Sequence, residues 1–303
     1  MTKKKVTVLY GNELEGRLSA YIVKHFYRNR LECDLELIEE KGNIPLHEIV
    51  NHIEEKQDEL FLLDTMVNNF NLNFSIRKAN KLIVIDNHQI TNTELFRLER
   101  ICRQYDKTIE AEIDYISFEH SAVYNTFKYF DKESEVPLFI EYFDIWNSDR
   151  FTNLNREESL ESLYFVNGLS SLIIDDYTIE LLLNNDKVLL TNIISIGKSI
   201  YDNLHSNTEF YEGRYGGLVR LKAYDVLQYT YGLDVSDVEN LYDLTCVYVY
   251  NGEKWLYNIR SKRDYLGTIL HNPDLKTMSR ESILLSSKYY KYNFLEELGK
   301  LDK

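Results

Sequence analysis

Acidic and imidazole side chains follow strand-like segments in the first half of the chain, and their spacing suggests metal chemistry. The apolar run 82–85 leads directly into Asp86, Asn87 and His88. Further carboxylates follow two other strand-like runs or lie on a later helical segment: Glu13, Glu15, Asp64 and Asp144. Convergent carboxylates repel one another unless a cation neutralises them, so the set predicts a site for Mn²⁺ or Mg²⁺. A pair of such ions could activate a water and stabilise a phosphate in transfer.

The elements that must position these residues alternate between apolar and amphipathic segments over residues 1–145. Strands are predicted at 6–10, 33–38, 59–64, 82–86 and 111–116, with helical patterns at 18–27, 47–55, 74–79 and 93–105. This alternation is typical of βαβ units in a parallel sheet. In such a sheet the strands end along one edge, where ligands bind. The acidic residues are therefore expected to converge there.

The C-terminal part has a different pattern. Residues 118–145 and 155–207 are helical in pattern, whereas 244–250 and 254–260 alternate like strands and are joined by Asn251-Gly252, a strong hairpin signal. The predicted fold class is α/β. A parallel-sheet domain with its connecting helices is expected over residues 1–205, and a smaller α+β domain over residues 206–303.

Composition narrows the classes of function. The chain has 303 residues, a net charge of −14 and three cysteines without paired metal-ligand spacing, which predicts free thiols and a cytoplasmic location. No membrane span and no secretory signal peptide are expected. The negative charge argues against long duplex nucleic acid as a partner. Residues 206–303 are nearly balanced, with 13 Lys and Arg against 14 Asp and Glu, so an anionic ligand would be held mainly from there. A homodimer is left open.

The order of the acidic motifs resembles the DHH family of phosphoesterases. Family members carry Asp-x-Asp-Gly after the first strand, a lone Asp after a second, Asp-His-His after a third and another Asp downstream. The corresponding segments here are Glu13-Leu14-Glu15-Gly16, Asp64, Asp86-Asn87-His88 and Asp144. Segments 121–127, 144–146, 243–247 and 257–261 look most like the oligoribonuclease branch. The resemblance thus covers most of the chain.

This resemblance implies metal-dependent hydrolysis of short oligonucleotides or a small nucleotide. It implies that Asp86 and His88 are catalytic. The residues that would hold Mn²⁺ or Mg²⁺ are Glu13, Glu15, Asp64, Asp86, Asn87 and Asp144. The residues that would bind substrate are His88, Arg260, Ser261 and Lys262.

Several departures from the family pattern support a different hypothesis. Both first-motif aspartates are replaced by glutamates, and Asn87 stands where the family has a metal-binding histidine. A glutamate is one methylene longer, which moves its oxygens by roughly 1 Å where productive sites tolerate about 0.5 Å. The family's histidine before the first motif and its Gly-Gly-Gly-His loop are not found. The alternative is a catalytically lapsed protein that binds a nucleotide or a protein partner without hydrolysis.

Structural interpretations of single residues also remain open. Glu13 and Glu15 could complement the dipole of the following helix, Asp64 could cap a segment, and Asp144 could lie on a helix surface. The hairpin strand after residue 254 could stack on single-stranded nucleic acid, or could be an ordinary exposed hairpin. The remaining histidines, including His120, have no partner at a ligand spacing and are expected to be solvated or in the core.

Overall fold

The computed structural model describes residues 3–28, 32–40, 44–65, 74–87, 100, 110–115, 120–147, 156–206, 208–214, 218–225, 244–250, 255–261, 276–277 and 282–287. The chain divides into two compact units. The first comprises Met1–Leu154 with Leu172–Asn192, and the second comprises Asn155–Ser171 with Ile193–Lys303. The predicted functional domains, 1–205 and 206–303, stay a prediction.

A five-stranded parallel sheet forms the centre of the first unit, as the alternating pattern predicted. Its strands are β1 (Lys4–Tyr10), β2 (Cys33–Glu39), β3 (Gln57–Leu63), β4 (Ala79–Asp86) and β5 (Glu110–Tyr115). They lie in the order β2-β1-β3-β4-β5, and every neighbouring pair is parallel. All five strands therefore end at the same edge.

Seven helices accompany the two sheets in the described part of the chain: α1 (Leu14–Tyr27), α2 (Leu46–Asn51), α3 (Ala122–Phe130), α4 (Leu138–Asn147), α5 (Arg156–Ser170), α6 (Asp176–Leu183) and α7 (Lys187–Ser206). Helix α1 begins four residues before the predicted start at Leu18. The sequence pattern did not include these residues because the polar first turn lacks the apolar periodicity of the rest. Of the segment predicted as a helix at 74–79, residues 74–77 are helical and Ala79 already belongs to β4. Most of the helix predicted at 93–105 lies outside the described residues.

The apolar runs of the central strands are buried on both faces. On one face, Leu62 of β3 and Val84 of β4 pack in a cluster with Leu46 and Val50 of α2. On the other face, Phe61 and Ile85 pack in a cluster with Val23 of α1. Burial of each such side chain contributes about 1.5–3 kcal/mol. The core thus fixes β3 and β4, whose ends carry Asp64 and Asp86.

A mostly antiparallel sheet belongs to the second unit. Its strands are β6 (Thr208–Arg214), β7 (Leu218–Asp225), β8 (Leu244–Tyr250), β9 (Trp255–Ser261), β10 (Lys276–Thr277) and β11 (Ser282–Ser287), in the order β10-β11-β9-β8-β7-β6. Only β7 and β8 are parallel neighbours in this sheet. The predicted hairpin is confirmed by the antiparallel pairing of β8 with β9, although the turn at Asn251-Gly252 lies outside the described residues. The α/β fold class is confirmed.

Among the described residues, no helix is both long and apolar enough to cross a membrane. The cytoplasmic location stays a prediction.

Candidate functional site

Backbone hydrogen bonds continue beyond the strands and hold three strand ends side by side. The amide of Gly11 donates to the Leu63 carbonyl at 3.0 Å, and the amide of Asp64 donates to the Ile85 carbonyl at 3.0 Å. Asp64 directly follows β3, and Asp86 is the last residue of the neighbouring strand β4. Their exposed fractions are only 8% and 3%. Asp64 has a φ of 51°, a conformation that is uncommon outside glycine and that is tolerated by aspartate. The two aspartates are therefore buried at the shared edge, as the sequence predicted.

Two glycines bring the first motif against this edge. A Cβ on Gly16 would lie 2.3 Å from the Gly11 carbonyl oxygen, and a Cβ on Gly11 would lie 2.3 Å from the Asp64 carbonyl oxygen. Any larger residue would have to move backbone atoms. The absence of side chains at Gly11 and Gly16 thus lets the first turn of α1 approach the end of β3.

The two glutamates of the first motif have different surroundings. Glu13 is exposed at the N-cap position of α1, and its side chain makes no capping hydrogen bond. Glu15 is 9% exposed. Its Oε1 accepts a hydrogen bond from the Asn87 side-chain amide at 3.1 Å and another from the backbone amide of Ala122. Glu15 does lie in the first turn of α1, but its carboxylate contacts the start of α3.

Asp144 of α4 reaches the same helix start from another side. It is 2% exposed, so the interpretation as a helix-surface residue is wrong. Its Oδ1 accepts from the backbone amide of Ser121 at 2.6 Å, and its Oδ2 lies 2.9 Å from Nδ1 of His120. Asp144 therefore fixes both the residue before α3 and the neighbouring imidazole.

The N-terminus of α3 is thus surrounded by oxygen acceptors. Besides the two carboxylates, Oγ of Ser121 accepts from the amide of Tyr124 at 3.2 Å. Helix N-termini have amides without partners in the helix and carry partial positive charge, which favours nearby anions. These amides compensate the charges of Glu15 and Asp144. The repulsion from which the sequence predicts a cation is therefore relieved in part by the protein itself.

The sequence shows no partner for His120 at a ligand spacing, but the fold supplies one. It bonds to Asp144 and stacks on the ring of Tyr124, with centroids 4.0 Å apart and an interplanar angle of 8°. No spacing rule could have indicated this pairing, because 24 residues separate His120 from Asp144. The local signal available was its place directly before the N-cap Ser121.

Among the described residues, the predicted site for Mn²⁺ or Mg²⁺ is not assembled. In the described part of the chain, no group of three or more His, Cys, Asp or Glu is arranged to hold a metal ion. The side-chain amide of Asn87 donates to Oε1 of Glu15, so this carboxylate oxygen is engaged by a donor of the protein itself. His88 lies outside the described residues. Binding of Mn²⁺ or Mg²⁺ by Glu13, Asp64 and the other named residues stays a prediction.

The predicted substrate-binding residues belong to the second unit. Arg260 and Ser261 end β9, where they pair with Thr245 and Leu244 of β8. Their backbone positions are defined, whereas Lys262 lies outside the described residues. Their predicted contacts with substrate stay a prediction.

Comparisons with known proteins give only distant similarities. No family model and no curated protein matches the sequence. An exopolyphosphatase-related protein from Bacteroides fragilis is 12% identical over 98% of this chain and 92% of its own, with a TM-score of 0.43. A pGpG-specific phosphodiesterase from Vibrio cholerae is 10% identical over 94% and 93%, with a TM-score of 0.47. CDC45 from Entamoeba histolytica is 8% identical over 98% and 95%, also with a TM-score of 0.47.

These similarities are too weak to assign an activity. The fold and the site instead define a class of protein by their own features. The chain is an α/β protein with buried carboxylates at the C-terminal edge of a parallel sheet, where two of them are hydrogen-bonded to the N-terminus of a neighbouring helix.

Proposed function

We propose that this chain is a relative of the DHH phosphoesterases that binds a short oligonucleotide or a nucleotide without metal-dependent hydrolysis. The order of its acidic motifs supports the family relationship, and the sheet edge is where ligands bind in such folds. The hydrogen bond from Asn87 to Glu15 is the observation that supports binding without hydrolysis. It places an amide donor where the family has a metal-binding imidazole.

A metal ion at these carboxylates would have to displace hydrogen-bond donors that the protein supplies. An ion on Oε1 of Glu15 would compete with the Ala122 amide and the Asn87 side chain. An ion on Asp144 would compete with the Ser121 amide and His120. Each buried donor left without a partner costs about 1–3 kcal/mol. Because 1.4 kcal/mol is about tenfold in affinity, two such losses would weaken metal binding by about thirtyfold to about four orders of magnitude.

Calorimetry and thermal unfolding test this proposal together. We expect di- to pentanucleotides to bind equally well with Mn²⁺ and with EDTA, and we expect the melting temperature to be independent of Mn²⁺. Tight Mn²⁺ binding that is lost in Asp86→Ala, but kept in Asp34→Ala, would contradict it. Asp34 is the matched control because it is an exposed aspartate on the edge strand β2.

A second candidate function is hydrolysis of the same ligands with Mn²⁺ or Mg²⁺. The observation in its favour is that Asp64 and Asp86 are buried at adjacent strand ends. Release of mononucleotides from di- to pentanucleotides, abolished in Asp86→Ala, would support it. A crystal soaked in Mn²⁺ would then show anomalous scattering beside Asp64 and Asp86. No release by the unmodified protein rules this candidate out.

A further inference from the structure

A cavity of about 670 Å³ opens beside the His120–Tyr124 stack. It is bounded by the start of α3, the connection to α4, α4 itself and the turn after α6. The side chains that matter for its chemistry are His120, Tyr124, Glu135, Leu138, Glu141 and Asn185. All of them belong to the first unit. The volume is ample for one nucleobase and part of its sugar.

One part of the lining is a rigid aromatic platform. The rings of His120 and Tyr124 are nearly parallel at 4.0 Å. The 2.9 Å contact with the buried Asp144 fixes the plane of the imidazole, and Tyr124 is anchored on α3. A preorganised flat surface loses little entropy when a ligand stacks on it. Stacking of a base on an aromatic side chain is worth about 5- to 150-fold in affinity.

The polar part of the lining is dominated by hydrogen-bond acceptors. Glu135 and Glu141 are exposed carboxylates, and neither makes an ion pair with any described residue. An ionised carboxylate only accepts hydrogen bonds. Asn185 uses its Oδ1 to accept from the Leu138 amide at 2.8 Å, which leaves its side-chain NH₂ as the group with hydrogen atoms to donate. The cavity therefore favours a flat ligand that presents several N–H groups.

We propose that this cavity is a nucleobase pocket that prefers guanine. Guanine presents N1–H and an amino group side by side on one edge, which matches the two oxygens of one carboxylate, while its flat face suits the aromatic platform. Adenine and cytosine present one amino group on that edge. Uracil presents carbonyl oxygens beside its single N–H, and these would face the carboxylates. The pocket rests on the proposed function and specifies the base that the nucleotide carries.

The phosphate of a bound nucleotide must lie outside the part of the cavity that holds Glu135 and Glu141, because like charges repel. The pocket thus recognises the base and leaves the phosphate to another surface. This separation makes base preference measurable apart from phosphate binding.

Calorimetric titration with GMP, IMP and UMP tests the proposal. IMP differs from GMP only by the missing amino group. A hydrogen bond to a charged acceptor is worth about tenfold or more, so we expect GMP to bind at least tenfold more tightly than IMP. UMP should bind more weakly than both.

Two sets of variants test whether GMP affinity and the preference for GMP over IMP arise in this cavity. Tyr124→Leu keeps an apolar side chain but removes the platform, and it should weaken GMP binding about tenfold. Joint replacement of Glu135 and Glu141 by Gln should reduce the preference for GMP over IMP. The matched controls are Tyr177→Leu, an exposed tyrosine on α6, and joint Glu133→Gln and Glu161→Gln, both exposed and outside the cavity. Unchanged melting temperatures would show that the variants fold.

The outcomes separate the two proposals. Equal affinities for GMP, IMP and UMP, or unchanged GMP binding in the variants at Tyr124 and at Glu135 and Glu141, would overturn the guanine pocket and leave nucleotide binding intact. If none of the three mononucleotides binds, the guanine pocket is also overturned. If di- to pentanucleotides then fail to bind as well, the proposed function fails with it.

Discussion

Asn87 and Glu15 are hydrogen-bonded through the side-chain amide of one and Oε1 of the other, although 72 residues separate them. The same oxygen accepts from the amide of Ala122. One buried carboxylate therefore links the end of β4, the first turn of α1 and the start of α3. This gives Glu15 a structural role that needs no bound ion.

Replacement of Glu15 by Ala should destabilise the protein by about 2 kcal/mol. The change leaves the Ala122 amide and the Asn87 side chain without their shared acceptor, and a buried donor without a partner costs about 1–3 kcal/mol. Urea unfolding measures the loss. Glu13→Ala is the control, because Glu13 is exposed and makes no capping bond, and it should change stability by no more than about 0.5 kcal/mol. Equal effects of the two changes would refute the structural role of Glu15.

Gly16→Ala should also be destabilising, against the usual trend in helices. Alanine normally favours a helix over glycine by about 1 kcal/mol. Here the new Cβ would lie 2.3 Å from the Gly11 carbonyl oxygen, and overpacking of this kind costs about 1–3 kcal/mol. Thermal unfolding should therefore show a lower melting temperature. A melting temperature at or above that of the unmodified protein would contradict the close approach.

Acid unfolding should depend on the N-cap of α6. The side chain of Asp175 accepts from the Thr178 amide at 2.8 Å. This bond, followed by a hydrogen bond from the Thr178 side chain and smaller contributions from nearby amides, lowers the pKa of Asp175 below its ordinary value of 3.8. A lowered pKa in the folded state means that the stabilisation is present above the unfolded pKa. It is lost as the pH falls through the folded value.

We expect Asp175→Ala to be less stable than the unmodified protein at neutral pH, with the difference shrinking below pH 3.8. Asp175→Asn keeps a side-chain acceptor that does not titrate. It should therefore retain most of the stability at neutral pH and lack this pH dependence. Denaturant unfolding at several pH values measures all three proteins. A difference between Asp175→Ala and the unmodified protein that stays constant down to pH 2 would argue against the cap.

The two cysteines that the structure describes should differ in reactivity. Cys33 is half-buried on β2, whereas Cys246 is buried on β8, and both are free thiols. Burial raises the pKa of the Cys246 thiol well above its ordinary range, which suppresses the reactive thiolate. Iodoacetamide at pH 8, followed by mass spectrometry of the peptides, should label Cys33 first. Both should react in denaturant, and rapid native labelling of Cys246 would contradict its burial.

Much of the secondary structure in both units could be predicted from the sequence because its signals are local. The apolar run 82–85 lies within β4 and the apolar run 60–63 lies within β3, since strands buried on both faces need continuous apolar residues. The antiparallel pair β8 and β9 followed from alternation and from Asn251-Gly252. The position of acids at strand ends followed from the same patterns.

The hydrogen-bond partners of those acids could not be predicted in this way. Glu15 meets an amide 107 residues away, and Asp144 meets one 23 residues away. His120 gains its partner only because α4 packs beside the start of α3. Such contacts depend on how helices pack across a sheet, and no local pattern records that packing.

The sequence by itself determined that carboxylates gather at one edge of a parallel sheet, because strand direction and apolar periodicity are local properties. Only the tertiary structure decided what neutralises them. At Glu15 and Asp144 the partners are the backbone amides of a helix N-terminus, together with Asn87 and His120. The physical reason is that a buried charge takes the nearest donor that folding supplies, and that donor comes from a distant part of the chain.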